Sequence, residues 1–382
     1  MSDFSVLIEI YRKLKKDNVA ILGLICVAIF FFFAIFAPLL ANNKPFVYIS
    51  ETEFSFPFLR FIFAPDTNEK LVEKTFNFIL ITFLPIFTIF KTKSKNIKSL
   101  LALFIILIIF PFIFVNTKLD RTNWRERTKT EKAFAIFAPI PYSPFESIAT
   151  PYEKPSKKHI LGTDQIGRDV AARMLYGARV SLAVGVSATA LTILIGVCIG
   201  LISGYFGGKI DLIVMRVVEI IICFPTFLLL LILMSILMDK KFEQSILVVI
   251  SIIGLTSWTG LSRIVRGEVL QQRQMPYIRA CECLALPVWR ILFIHLLPNV
   301  AGPIFVSFTF GIAGAILAES GLSFLGFGIQ PPTASWGELL RQAFIDPKTY
   351  WHLTLWPGIA IFAAVLSFNF IGEGLRKIIT PN

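Results

Sequence analysis

The chain has little charge: 16% of its 382 residues are Asp, Glu, Lys or Arg, against about 25% in soluble domains. It has three scattered histidines and five cysteines, none in a spacing that supplies the four ligands of a closed zinc site. The glycine-rich loop that binds nucleotide phosphates is also missing. The sequence therefore predicts no metal, no cofactor and no catalytic residues, and it excludes ATP hydrolysis by this chain.

Long apolar runs make up most of what is present. Hydrophobic residues form 55% of the chain, and the mean hydropathy is +0.72. A helix needs roughly 20 apolar residues to cross the hydrocarbon layer of a lipid bilayer. Six runs meet this requirement: Ile21–Leu40, Leu182–Ser203, Leu212–Met238, Ile246–Ile264, Val300–Ala318 and Leu353–Ile371. We expect an all-α integral membrane protein with a core of six transmembrane helices.

Two shorter apolar runs follow the first span. Phe76–Phe90 and Leu100–Val115 each contain a proline and are joined by a lysine-rich segment. Proline is tolerated in membrane helices because neighbouring groups satisfy the freed carbonyl. The runs predict an inserted helical hairpin at residues 76–115, and a re-entrant or interfacial hairpin is the alternative.

The net charge of +12 could indicate nucleic-acid binding. Much of the excess flanks the apolar runs, however, which is the positive-inside pattern of membrane proteins, so we expect no nucleic-acid partner. A cytoplasmic N-terminus then gives three regions: 1–40, a cytoplasmic segment with the first span; 41–160, an extracytoplasmic region with the hairpin; and 161–382, the transmembrane core. In this topology the six basic residues at positions 118–132 would lie on the extracytoplasmic side, which contradicts the positive-inside rule.

A polar, helix-forming segment at residues 277–298 lies between two of the spans, on the cytoplasmic side of this topology. Arg279–Leu286 predicts one short helix and Pro287–Ile294 a second, with a bend near Ala285. Two short helices parallel to the membrane could dock on a partner in the aqueous phase and move as a lever. An ordinary amphipathic linker is the alternative.

Two further patterns lie in the predicted spans. Arg216 and Glu219 are one helical turn apart, so this intramembrane charged pair can neutralise itself; we favour a structural role over a transport site or a proton relay. Gly196, Gly200 and Gly204 share one helix face, where small residues let helices approach closely. Packing within the chain and a subunit interface are both open.

A glycine- and aspartate-rich run at residues 162–169 precedes the amphipathic stretch Val170–Arg179. Thr163 or Asp164 is predicted to cap this helix by accepting from its first N–H groups. Arg173 and Arg179 are expected at the membrane surface, where long cationic side chains reach towards water.

Six motifs resemble those of one transporter family. They are Leu161-Gly162-Thr163-Asp164-x-x-Gly167-Arg168-Asp169, Tyr176-Gly177-x-Arg179-x-Ser181-Leu182, Asp211-x-x-x-Met215-Arg216-x-x-Glu219, Tyr277-x-Arg279-Ala280, His295-x-Leu297-Pro298-Asn299 and Leu322-Ser323-Phe324-Leu325-Gly326 with Ser335-Trp336-Gly337. Together they resemble the C-type permease subunit of dipeptide and oligopeptide ABC importers. Two further motifs resemble the branch that includes microcin C and oligopeptide permeases, namely Ala41-Asn42-x-Lys44-Pro45 and Pro139-Ile140-Pro141-Tyr142-Ser143. The resemblance covers residue 160 to the C-terminus.

The resemblance implies a function and a set of partners. A permease of this kind moves peptides across the bacterial cytoplasmic membrane by alternating access, within a heterodimer with a homologous B-type permease. Two ABC ATPase subunits and an extracytoplasmic peptide-binding protein complete the assembly. An ion-coupled secondary transporter and an ABC permease for a non-peptide substrate such as nickel are the alternatives.

The resemblance also assigns residues. The ATPase-coupling loop would comprise Arg279, Ala280, Cys281, Glu282, Ala285, Leu286, His295 and Pro298, and the outer-face motif would comprise Gly162, Asp164, Gly167, Arg168 and Asp169. Two features depart from the family pattern: Ala285 stands where glycine is usual, and the hairpin at 76–115 has no counterpart in the six-span arrangement.

Overall fold

A computed structural model describes residues 14, 17–51, 53–63, 65, 69–92, 97, 99–105, 122–240 and 245–379. The helices in chain order are α1 (Asn18–Leu40), α2 (Pro57–Phe63), α3 (Lys70–Lys91), α4 (Trp124–Thr130), α5 (Val170–Phe206), α6 (Gly208–Ile222), α7 (Thr226–Asp239), α8 (Ile246–Gln272), α9 (Pro276–Cys283), α10 (Val288–Arg290), a π-helix (Ile291–Leu296), α11 (Leu297–Asn299), α12 (Ala301–Phe324), α13 (Trp336–Gln342) and α14 (Trp351–Ile379). A small antiparallel sheet has the order β2 (Phe54–Ser55), β1 (Val47–Ile49), β3 (Phe134–Ile136).

Six of the described helices are long and apolar enough to cross a membrane, namely α1, α3, α5, α8, α12 and α14. The predicted all-helical membrane fold is confirmed. The first arm of the predicted hairpin is α3. Of the second arm, residues 100–105 are helical, and positions 106–115 lie outside the described residues.

The predicted span Leu212–Met238 is wrong as a single helix. It divides into α6 and α7, which meet at an angle of 81° and could together form a seventh, broken span. The break falls at Pro225, whose backbone is extended. Proline has no N–H for the preceding turn and its ring clashes with that turn, so the apolar run continues through the break while the helix does not.

The chain divides into two compact units, which are described separately. The first comprises residues 1–28, 182–329 and 360–382, and the second comprises residues 29–181 and 330–359. The first unit holds α6 to α12 with the apolar core around them. The second holds the sheet, α2 to α4 and α13.

In the first unit, the three glycines of α5 pack directly against α8. A Cβ added at Gly200 would lie 2.7 Å from the Cβ of Val265, and one at Gly204 would lie 2.8 Å from the Cβ of Val269. Gly196 likewise faces the backbone of α8. The glycines therefore serve packing within the chain, which is one of the two roles that the sequence left open.

Candidate functional site

The coupling segment, residues 277–298, begins inside α9. This helix starts at Pro276 and ends at Cys283, three residues earlier at each end than the predicted Arg279–Leu286. Proline is favoured in the first turn because the N–H that it lacks has no partner there in any case. The predicted second helix is α10, which continues as the π-helix.

The chain leaves α9 through a left-handed residue. Ala285 has φ +49°, and it lies where the sequence places the bend. Ala285 N–H donates to Glu282 O at 2.9 Å, and Leu286 N–H donates to Cys281 O at 3.2 Å. These two bonds form a Schellman motif, whose left-handed position usually holds glycine. The alanine therefore forms the bend in a conformation that a Cβ disfavours.

One face of the coupling segment is buried in the first unit. Its buried side chains are Ile278, Cys281, Ile291, Leu292 and Leu296. They belong to one apolar cluster with residues of α5 and α8, including Leu201, Val265 and Val269. Because such a cluster is close-packed, the segment is held firmly against α5 and α8.

Two polar contacts reinforce this attachment. Tyr205 at the end of α5 donates to Glu282 Oε1 at 3.3 Å. Tyr277 in α9 donates to Gln272 Oε1 at the end of α8, at 2.9 Å. Burial raises the pKa of Tyr277 above its ordinary value, so the phenol keeps the proton that it donates. Each of the two helices is thus bonded to α9.

The opposite face of the segment is exposed and carries large apolar side chains. Leu284 is 73% exposed and Trp289 is 58% exposed. Arg279 and Arg290 are exposed on the same segment. Exposed aromatic and arginine side chains are typical anchors of protein interfaces.

The residues that the resemblance assigns to ATPase coupling divide between these faces. Cys281 is buried, and Leu286 and His295 are half-buried. The others are exposed: Arg279, Ala280, Glu282, Ala285 and Pro298. The segment then joins α12 through Pro298 and Asn299, where the Asn299 side chain donates to His295 O at 2.7 Å.

The outer-face motif lies in the second unit, and Gly162, Asp164, Gly167, Arg168 and Asp169 are all buried. Asp164 Oδ1 accepts from the backbone N–H of Arg168 at 2.9 Å, and its Oδ2 accepts from Arg168 Nε at 2.6 Å. Gly167 has φ +78°, and a Cβ there would lie 2.0 Å from Ala149 O. The motif is therefore a tight buried turn closed on its own aspartate.

The cap of α5 is Asp169, which corrects the prediction of Thr163 or Asp164. Its Oδ1 accepts from Ala172 N–H at 2.8 Å, while its Oδ2 is 2.9 Å from Nδ1 of the buried His159. Asp164 is already occupied by the turn, so it is not available to the helix.

Arg173 and Arg179 are fully buried, so the prediction that these side chains reach towards water is wrong. Arg173 donates to Glu338 Oε2 at 2.5 Å and to Pro144 O at 3.0 Å. Burial, together with the neighbouring charge of Arg173, lowers the pKa of Arg168 from its ordinary value, although a guanidinium stays protonated at neutral pH. The second unit thus holds a compact cluster of paired charges.

Arg216 and Glu219 lie on α6 and form an ion pair, with Nη1 and Oε2 2.7 Å apart. Their side chains are 70% and 59% exposed, so in this chain they do not point into the core. A second pair holds the beginning of α6: Asp211 accepts from both ends of the Arg266 guanidinium on α8 and from Ser203 on α5.

Sequence reasoning missed several buried polar residues, chiefly Glu73, Asn77 and Glu338. Glu73 and Asn77 are one turn apart in an apolar helix. Polar and ionisable residues in such a run usually face protein and have a partner, and this signal could have identified them.

Comparisons with known proteins agree with the motifs. Residues 196–382 match the family described as "binding-protein-dependent transport system inner membrane component", and residues 5–57 match the "N-terminal TM domain of oligopeptide transport permease C". The chain is 38% identical over 274 residues to the dipeptide transport system permease protein of Bacillus subtilis, covering 68% of this chain and 84% of that protein.

Other relatives are similar to the same degree. The oligopeptide transport system permease protein of Bacillus subtilis is 38% identical, covering 65% of this chain and 80% of that protein. The glutathione transport system permease protein of Pectobacterium atrosepticum is 37% identical, covering 60% and 74%. The chain therefore belongs to the family of binding-protein-dependent transport system inner membrane components, as a multi-pass protein of the bacterial inner membrane.

Proposed function

We propose that the chain is the transmembrane permease subunit of an ATP-driven ABC importer that carries dipeptides and oligopeptides into the cell. The observation that carries the proposal is the two-faced coupling segment. Its buried face is packed with α5 and α8, and its exposed face presents Leu284 and Trp289. A segment with this arrangement can receive a push from a soluble partner and pass it to transmembrane helices.

The mechanism is alternating access. ATP-driven closure of two partner ATPases would displace the coupling segment. Because Tyr205 and Tyr277 bond α5 and α8 to this segment, the displacement would reorient both helices together. The chain supplies the lever and the helices, and the ATPases supply the energy.

The remaining partners follow from the similarity to peptide permeases. A homologous B-type permease would form a heterodimer with this chain and enclose the peptide pathway at their interface. An extracytoplasmic peptide-binding protein would deliver the substrate to residues 41–160 and to the outer ends of the core helices in residues 161–382. The buried outer-face motif would brace that side structurally, and the Arg216–Glu219 pair would have a structural role within the membrane.

The coupling role is tested by removing an exposed anchor. Trp289→Ala is expected to weaken capture of the partner ATPase at least about 30-fold, the scale of an interface hot spot. The matched control is Phe362→Ala on α14, since Phe362 is 67% exposed in the same unit but distant in sequence from the coupling segment. Equal ATPase capture by the two variants would disprove the docking role.

The substrate class is tested by uptake in cells that lack their own peptide permeases and express the chain with its neighbouring transport genes. Labelled dipeptides and longer peptides should accumulate, and uptake should stop when ATP is depleted while a proton gradient is kept. If nickel accumulated and peptides did not, the substrate would be a metal ion and not a peptide. Peptide uptake that persists without ATP would favour an ion-coupled transporter.

A further inference from the structure

Helix α1 contains a break in its own hydrogen bonding. Pro38 has no N–H, so the carbonyl of Ala34, four residues earlier, loses its helical donor. A buried carbonyl without a donor costs free energy comparable to a lost hydrogen bond. Ala34 is buried, so it requires a donor from elsewhere in the protein.

Arg179 of α5 supplies that donor. Its Nε donates to Ala34 O at 2.6 Å, and its Nη2 donates to Ile35 O at 3.0 Å. The side chain is fully buried. A guanidinium away from water is strongly destabilising unless a counter-charge lies beside it. Capping α1 in this way therefore creates a requirement for a carboxylate.

The inserted helix α3 meets the requirement. Glu73 Oε2 accepts from Arg179 Nη1, and Asn77 Oδ1, one turn later, accepts from the same nitrogen at 2.9 Å. Asn77 Nδ2 also donates to Ile62 O at 2.9 Å, which joins the end of α2 to the same point. Among the hydrogen-bond partners of Arg179 in the described chain, Glu73 is the one that carries a charge.

We propose that α3 acts as a clamp: its Glu73 provides the counter-ion that lets Arg179 hold the proline-containing end of α1 against α5. The matched family regions, 5–57 and 196–382, include α1 but not α3 or Arg179. The task of the inserted helix, compensation of the Arg179 charge, lies within the second unit. It does not depend on which substrate is transported. Loss of α3 leaves a buried cation unpaired, and loss of both charges removes the conflict.

A double-mutant cycle tests the clamp in the full chain, purified with its partners. Glu73→Ala and Arg179→Met should each lower the melting temperature by on the order of 10 °C. The double variant should fall by less than the sum of the two shifts, because neither charge remains. The matched control is Thr75→Ala, an exposed position on α3 whose hydroxyl bonds its own helix at Leu71 O; it should change the melting temperature by less than about 2 °C.

If the Glu73→Ala variant does not accumulate, Glu73→Gln replaces it in the same double-mutant cycle. The quantity compared is then the amount of folded chain in the membrane. Recovery in Glu73→Gln/Arg179→Met, relative to Glu73→Gln alone, supports the clamp. Strictly additive losses, or a Glu73→Ala variant that behaves like Thr75→Ala, would overturn it.

The capping of α1 is tested separately with Pro38→Ala. Alanine restores the N–H that Ala34 O lacks, so Arg179→Met should lower the melting temperature less in this background than in the wild type. An equal shift in both backgrounds would show that the guanidinium does not serve the Ala34 carbonyl that Pro38 frees.

Discussion

Two arginine–glutamate pairs in this molecule have the same chemistry and opposite surroundings. Arg179 and Glu73 are buried, lie on different helices and are 106 residues apart in the sequence. Arg216 and Glu219 are three residues apart on one helix and mostly exposed. The buried pair fixes which helices meet, because either charge alone would be left without water or a partner. The exposed pair has only a small effect on its own helix.

The same contrast applies to the rest of the structure. The buried ion pair of Arg173 and Glu338 joins segments that are 165 residues apart in the sequence. The glycines of α5 allow that helix to pack closely against α8. By comparison, α6 is exposed over almost all of its length, with Val218 as its buried side chain. Long-range buried contacts hold each unit together. Beyond the Asp211–Arg266 pair near its beginning, most of α6 is exposed and available to other surfaces.

The largest effect is expected from Glu338→Ala. It removes the closest carboxylate of the buried Arg173 and leaves Asp164 Oδ2, 3.3 Å from Arg173 Nε, as its remaining counter-charge. We therefore expect a loss of about 3 kcal/mol, the lower end of the cost of breaking a buried ion pair. Thermal or denaturant unfolding of the purified complex gives the change in stability. Glu219→Ala is the matched exposed control. Similar losses of stability for the two variants would show that burial does not determine what an ion pair contributes.

A smaller loss is expected from Gly200→Ala. The new Cβ would meet Val265 Cβ at 2.7 Å and Ser262 O at 2.8 Å, and such overpacking costs about 1–3 kcal/mol. Gly260→Ala on α8 is the control, because no atom lies within 4 Å of its added Cβ. That variant should be neutral or slightly stabilising. If both variants lost the same stability, the close contact of α5 with α8 would be refuted.

Ala285→Gly should increase stability by about 0.5–1 kcal/mol. Glycine removes the clash of a left-handed Cβ, while the greater freedom of glycine in the unfolded chain offsets part of the gain. Ala280→Gly, in the middle of α9, should lower stability by a similar amount. Thermal or denaturant unfolding of the two variants should therefore give changes in stability of opposite sign. Destabilisation by both would mean that Ala285 is not held in the left-handed region.

Arg216→Gln should have the smallest effect, less than about 0.5 kcal/mol, because an exposed pair three residues apart contributes little. The double variant Arg216→Gln/Glu219→Gln should equal the single one within error. A loss above about 2 kcal/mol would show that this face of α6 is buried in the assembled transporter.

Much of the fold follows from the sequence, because apolar runs of spanning length predict helices directly. The position of the coupling segment and its bend at Ala285 were also predictable, since both depend on local residues. The break at Pro225 was marked by a proline that membrane helices often tolerate. The burial of Arg173 and Arg179 could not be predicted from nearby residues, because Glu338 and Glu73 reach them only after the chain has folded.

We propose that the exposed face of the coupling segment contacts the ATPase. Cys283 is a native probe for it, because it is exposed at the end of α9 while Cys281 is buried. With the other four cysteines replaced by serine, a short thiol-to-amine cross-linker in membranes should join Cys283 to the partner ATPase, and Trp289→Ala should abolish the product. Equal cross-linking with and without Trp289, or cross-linking only to other membrane proteins, would contradict the account.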